Sequence, residues 1–154
     1  MEKIVLISCV SKKINKKSKV EDLYLSPLFR KNLQYAKSIN PDKIFILSAK
    51  HGLLTLEEEI EPYEKTLNKM KSDEIKIWAN GVLINLKKVS DLENDEFIFL
   101  AGNNYRKFLI QVQAFHPCLQ SEKLQKKNFF VCTEKQDSLL FSVLSYQQKA
   151  NSFP

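Results

Sequence analysis

Glycine is scarce in this chain. There are three in 154 residues, at Gly52, Gly81 and Gly102. The glycine-rich spacing of a P-loop is absent, which excludes a nucleoside-triphosphatase motif. Cysteine is also sparse: Cys9, Cys118 and Cys132 are an odd number at wide, unpatterned spacing. That argues against a disulfide framework and against a zinc site. Only two histidines, His51 and His116, are present. Metal-independent chemistry without a cofactor is therefore the expectation. Long hydrophobic runs are missing too, since stretches such as Phe97–Ala101 are far too short to cross a bilayer. At the N-terminus, Lys3 leads at once into a short strand-like run and then a lysine cluster, which is not the pattern of a signal peptide. A cytoplasmic protein with no membrane partner is expected.

What is present suits one globular domain, read as residues 1–150 with a frayed tail at 151–154. Hydrophobic residues make up 44% and charged residues 27%, enough for a real core under an ordinary polar surface. The formal net charge is +6 (24 basic minus 18 acidic residues), unevenly spread. Residues 1–40 carry nine basic and three acidic residues, 41–101 eight and twelve, and 102–154 seven and three. Two positive segments flank a negative middle. An anionic partner such as phosphate explains this, and so does a lysine-rich solvated surface.

Lys3–Cys9 (KIVLISC), Lys43–Ser48 (KIFILS) and Phe97–Ala101 (FIFLA) are continuous apolar runs that read as strands buried on both faces. Between them lie helical patterns. Ser26-Pro27 offers a capping hydroxyl before a proline at the first helical position, and Asn40-Pro41 ends that helix. Ser72-Asp73-Glu74 opens a second, with Ile75, Trp78, Ala79, Val82, Leu86 and Val89 as its buried face. A third runs from about Tyr105 through Val112. The alternation predicts an α/β fold, a three-layer sandwich with a mainly parallel central sheet and right-handed crossovers. No internal repeat is evident. The Gln- and Lys-rich tail from about Ser121 holds a short strand pattern at Asn128–Thr133 and a helical one from Asp137.

In such sheets ligands bind beyond the carboxyl ends of the strands. Cys9, beside Lys12 and Lys13, is a candidate nucleophile or a small buried hydrophobe. Ser8, Ser11, Lys12 and Lys13 could form a phosphate nest, and Lys12–Lys19, with five lysines, reads as a solvated, mobile loop. Tyr24 and Ser26 precede the first helix, whose N-terminus is an anion site if it faces the ligand. Lys50 and His51 supply a cation, buried by its place beyond the strand, and a group titrating near neutrality, with Gly52 making the turn. An exposed pair at an ordinary turn is the other reading. The acidic run Glu57–Glu61 reads as solvated, or offers one carboxylate as a general base, with Pro62 and Tyr63 after it. Asn103, Asn104 and Tyr105 could read and stack on a base, or cap and pack a helix.

The ordered segments SCVSKK (Ser8–Lys13), LYLSPLF (Leu23–Phe29), ILSAKHGLL (Ile46–Leu54), IEPYEKTL (Ile60–Leu67), the Trp78 helix and LAGNNY (Leu100–Tyr105) together resemble the YaaA-like family. The first two also look like motifs of the lysine-transferring domain of archaeosine synthase, which acts on a deazaguanine base in tRNA. The resemblance covers roughly residues 3–110. It implies a DNA-, RNA- or nucleotide-directed domain. That domain would be either a base-processing enzyme of glycosylase or transferase type, or a non-catalytic DNA-binding protein of the oxidative-stress response. After about Phe115 the chain departs from the family's pattern, lacking its small-residue, glycine-containing closing segment. The oligomeric state is not legible.

Overall fold

The computed structural model describes residues 1–114 and 129–131. The apolar runs form strands β1 (Lys3–Ser8), β3 (Lys43–Ser48) and β6 (Glu96–Leu100), with short β2 (Ser18–Lys19), β4 (Gly52–Thr55), β5 (Glu59–Ile60) and β7 (Phe129–Val131). Helices are α1 (Val20–Leu23), α2 (Pro27–Ser38), α3 (Ser72–Val89) and α4 (Asn103–Ala114), with a 3-10 turn at Leu67–Lys69. The main sheet has the order β4-β3-β1-β6-β7. β1 runs parallel to both β3 and β6, and β7 parallel to β6. The fold is thus mixed α/β on a mainly parallel sheet.

β1 is the axis of the core. Ile4, Val5, Leu6 and Ile7 are all completely buried. Since successive strand residues point to opposite faces, both faces of β1 are covered. α2 packs on β1, while α3 packs on α4 and β4. At the start of β1, the buried Asp95 carboxylate accepts the Glu2 N–H at 2.7 Å and the Asp91 N–H at 2.8 Å, pinning β1 to the entry of β6.

Residues from Gly52 return as β4, antiparallel to β3, which leaves the sheet mainly parallel as expected. Gly52 sits at φ +78, the left-handed turn conformation that glycine tolerates best. Several local expectations are corrected. Ser26 is the N-cap of α2 by position, and Pro27 follows at the first turn, but the Ser26 hydroxyl makes no capping bond. α3 starts at Ser72 as the sequence indicates, with the Lys71 N–H donating to the Glu74 carboxylate at 2.7 Å. Val89, expected on its buried face, is exposed at the helix end, and Trp78 is only half-buried. α4 begins at Asn103, two residues before Tyr105.

The lysine-rich stretch is not a free loop. Ile14 N–H donates to the Leu23 carbonyl, Leu25 N–H to Lys12, and Val20 N–H to Glu58. β2 pairs with β5, and Lys17 and Lys19 meet Glu59 and Glu57 at 3.4 and 2.6 Å. The acidic run, read as solvated, is partly the counter-charge of the lysines. The tail strand appears as Phe129–Val131. The helical pattern from Asp137 and the terminal 151–154 lie outside the described residues. Among the described residues, no helix is long and apolar enough to cross a membrane.

Candidate functional site

From β1 the chain crosses through α2 to β3 on one side, and later reaches β6 on the other. Strand order therefore reverses at β1, and a crevice opens beyond the carboxyl ends of β1 and β6. A cleft of about 530 Å³ lies there. Ser8, Cys9, Ser11 and Lys12 come from the end of β1 and the loop after it. Ser26, Pro27, Leu28 and Asn32 come from α2, Lys65, Thr66 and Asn68 from the 3-10 turn and its approach, and Gly102, Asn103, Asn104 and Tyr105 from the start of α4. Hydroxyls, amides, a thiol and two ammonium groups line it, and among the described residues no carboxylate does.

Cys9 and Tyr105 meet in this cleft, with Sγ 3.2 Å from the phenol oxygen. Both side chains are almost wholly buried. Burial, and secondarily the neighbouring Cys9, push the Tyr105 phenol far above its ordinary value, so it keeps its proton at any ordinary pH. The Trp78 ring stands edge-on to Tyr105 with centroids 5.6 Å apart, and its indole N–H donates to the Ser48 carbonyl at 2.8 Å. Trp78 thereby ties the end of β3 to α4. Across the cleft, the Asn104 amide donates to Asn68 Oδ1 at 2.8 Å.

Behind the cleft is a second cluster, around Tyr63. Ser48, fully buried, accepts the Lys50 and His51 backbone N–H groups at 3.3 and 3.1 Å. With both lone pairs occupied, its own proton goes to the Tyr63 oxygen at 2.7 Å, and Tyr63 in turn donates to Tyr24 at 2.9 Å. Burial, and after it Cys9, raise both phenols well above their ordinary range. The Lys13 ammonium lies 4.1 Å from the Tyr63 ring centre and donates to the Val10 and Ser11 carbonyls at 3.1 and 3.2 Å. Desolvation lowers its pKa, partly offset by Cys9 and Glu64.

The predicted site residues thus fall into two groups. Ser8, Cys9, Ser11, Lys12, Ser26, Asn103, Asn104 and Tyr105 line the cleft. Lys13, Tyr24, Lys50, His51 and Tyr63 do not, and gather around Tyr63 instead. Lys50, expected as a buried cation, is exposed, because the β3–β4 turn carries it into solvent. His51 is exposed as well, and slight desolvation with the Lys50 charge lowers its pKa. Lys65, Thr66, Asn68 and Asn32 were missed, as was the buried Ser48. Lys65 and Thr66 fall within the IEPYEKTL segment, and Ser48 within ILSAKHGLL. Nothing local singles out Asn68. Among the described residues no cluster of three or more His, Cys, Asp or Glu is arranged as metal ligands would be.

Over residues 4–129 the chain matches the model of a Family of unknown function (DUF6884), and it belongs to that family. The matched span reaches from β1 to the first residue of β7. No curated protein and no solved structure matches the chain.

Proposed function

We propose that this is a cytoplasmic, nucleotide- or nucleic-acid-directed domain of YaaA-like type that processes a base, by glycosylase- or transferase-like chemistry, in the cleft between β1 and β6. One observation carries the reading. A small-molecule-sized cleft at the reversal of strand order combines hydroxyls, amides and two lysines with no carboxylate among the described residues, a lining suited to a phosphate-bearing, base-bearing ligand. Cys9 is the reacting group, with the protonated Tyr105 as its hydrogen-bond partner. Lys12 holds the phosphate, and Asn104 reads the base. Lys50 and His51 act indirectly, by holding the Ser48–Tyr63 cluster in shape. The three-layer sandwich expected from the sequence belongs to the same proposal, and the reversal of strand order at β1 supports it if the crossovers are right-handed.

The test is release or exchange of a base from mononucleotides, DNA and tRNA carrying common and modified bases, followed by chromatography and mass spectrometry. Product that requires Cys9 supports the reading. The alternative, a non-catalytic DNA-binding protein of the oxidative-stress response, draws on the exposed lysines Lys12 and Lys16 of the segment after β1. Duplex binding that weakens steeply with salt, with no product from any substrate, would favour it instead.

A further inference from the structure

The two sides of the cleft differ chemically. On one, Ser11 and Lys12 from the β1 loop lie beside the start of α2 and its Ser26, the Leu25 N–H donating to the Lys12 carbonyl at 3.0 Å. Lys12 is exposed and enters no ion pair among the described residues. The Ser26 hydroxyl caps nothing in its own helix, so both groups remain available to a ligand. On the other side, Asn104 has already donated to Asn68 Oδ1. That leaves the Asn68 amide N–H groups as donors and the Asn104 carbonyl as an acceptor, side by side. An adjacent donor and acceptor is the pattern that pairs with the edge of a nucleobase. Cys9 and Tyr105 line the same cleft.

Resting on the base-processing reading, we propose that the substrate is a free nucleoside monophosphate rather than a polynucleotide. Its phosphate sits at Lys12 and Ser26 and its base at Asn68 and Asn104. The cleft volume, about 530 Å³, falls in the range of small-molecule sites. A polynucleotide needs a continuous cationic track beyond the pocket. Among the described residues, Lys17 and Lys19 of the lysine-rich stretch pair with Glu59 and Glu57, so that stretch presents mixed charge rather than a continuous cationic track.

Calorimetric titration of the intact chain with the four common nucleoside 5′-monophosphates, their nucleosides, inorganic phosphate and a short single strand tests this. At least one monophosphate should bind about tenfold or more tighter than its nucleoside, inorganic phosphate and the strand, as a charge-assisted phosphate contact implies. Lys12→Ala should erase the advantage of the monophosphate over the nucleoside, and Asn68→Ala should weaken both alike. Ser26→Ala provides a second phosphate-side variant should Lys12→Ala melt early. Tighter binding of the strand than of every monophosphate, or equal binding of nucleoside and monophosphate, overturns the proposal. Base release from the strand without monophosphate binding overturns it while leaving base processing intact. Absence of both binding and base release defeats both.

Discussion

The Lys13 ammonium stands 4.1 Å from the centre of the Tyr63 ring, held there by the Val10 and Ser11 carbonyls. A lysine that the sequence offers as a phosphate ligand is thus spent on shaping the loop that carries Ser11 and Lys12. Lys13→Met should keep the aliphatic packing and lose these bonds. The expected outcome is a thermal midpoint within a few degrees of wild type, but ligand affinity reduced about tenfold, since a loop displaced slightly misplaces Lys12. Unchanged affinity would assign Lys13 to stability alone.

Alkaline pH should unfold this protein early. Tyr24, Tyr63 and Tyr105 ionise near pH 10 in the unfolded chain, whereas burial raises all three in the fold. Above pH 10 the folded state binds more protons than the unfolded, so stability falls as pH rises. Each group contributes up to about 1.4 kcal/mol per pH unit. Lys13 works in the opposite direction just below 10.5, because its folded pKa is lowered, and offsets part of the loss. Urea unfolding from neutral pH to beyond the phenol range checks the slope, which Tyr63→Phe should flatten by about one group's share.

The two glycines that differ most in setting should respond with opposite sign. Gly81 lies inside α3, exposed, with nothing within 4 Å of an added Cβ. Gly81→Ala should stabilise by roughly 0.8–1.0 kcal/mol through helix propensity. Gly52 has space for a methyl group, its nearest neighbour being Val82 at 3.7 Å, but its φ of +78 strains any L side chain. Gly52→Ala should cost about 1–2 kcal/mol. Equal effects in denaturant titration would contradict the assigned turn.

Ser48→Ala should be costlier than either. It removes the acceptor for two backbone N–H groups and the donor to Tyr63, all beside a fully buried position. Leaving such groups unpaired costs about 1–3 kcal/mol each. A loss under about 1 kcal/mol would mean that water replaces the hydroxyl.

In the cleft, Cys9→Ala should abolish base release, and Tyr105→Phe should lower it about 10²-fold or more with the fold retained, as removal of a positioned hydrogen-bond donor does. Wild-type turnover in Cys9→Ala would remove Cys9 from the reaction.

The three central strands were legible because each is a continuous apolar run, too short for a buried helix and bounded by turn residues, as a strand covered on both faces needs. β4 was not, because Gly52–Thr55 is too short to show alternation and its pairing depends on the turn before it. Half of the cleft could be anticipated from Ser8–Lys12 and Asn103–Tyr105, since parallel strands bring their ends to one edge. Asn68 could not, because its place is set by packing of the 3-10 turn against α4. Lys50 was misjudged for a related reason: proximity to a buried strand end says little about direction once a hairpin intervenes.

Cys9 and Tyr105 are 96 positions apart in the chain, yet they share one hydrogen bond at the heart of the cleft. Closing that distance requires β1, β3 and β6 to be assembled first, so no fragment that stops short of β6 can possess the binding surface. Ligand occupancy is therefore coupled to global rather than local unfolding. A bound molecule will slow hydrogen exchange in β1 and β6 together, by the same RT ln(1 + [L]/Kd) increment, including at amides far from any contact with it.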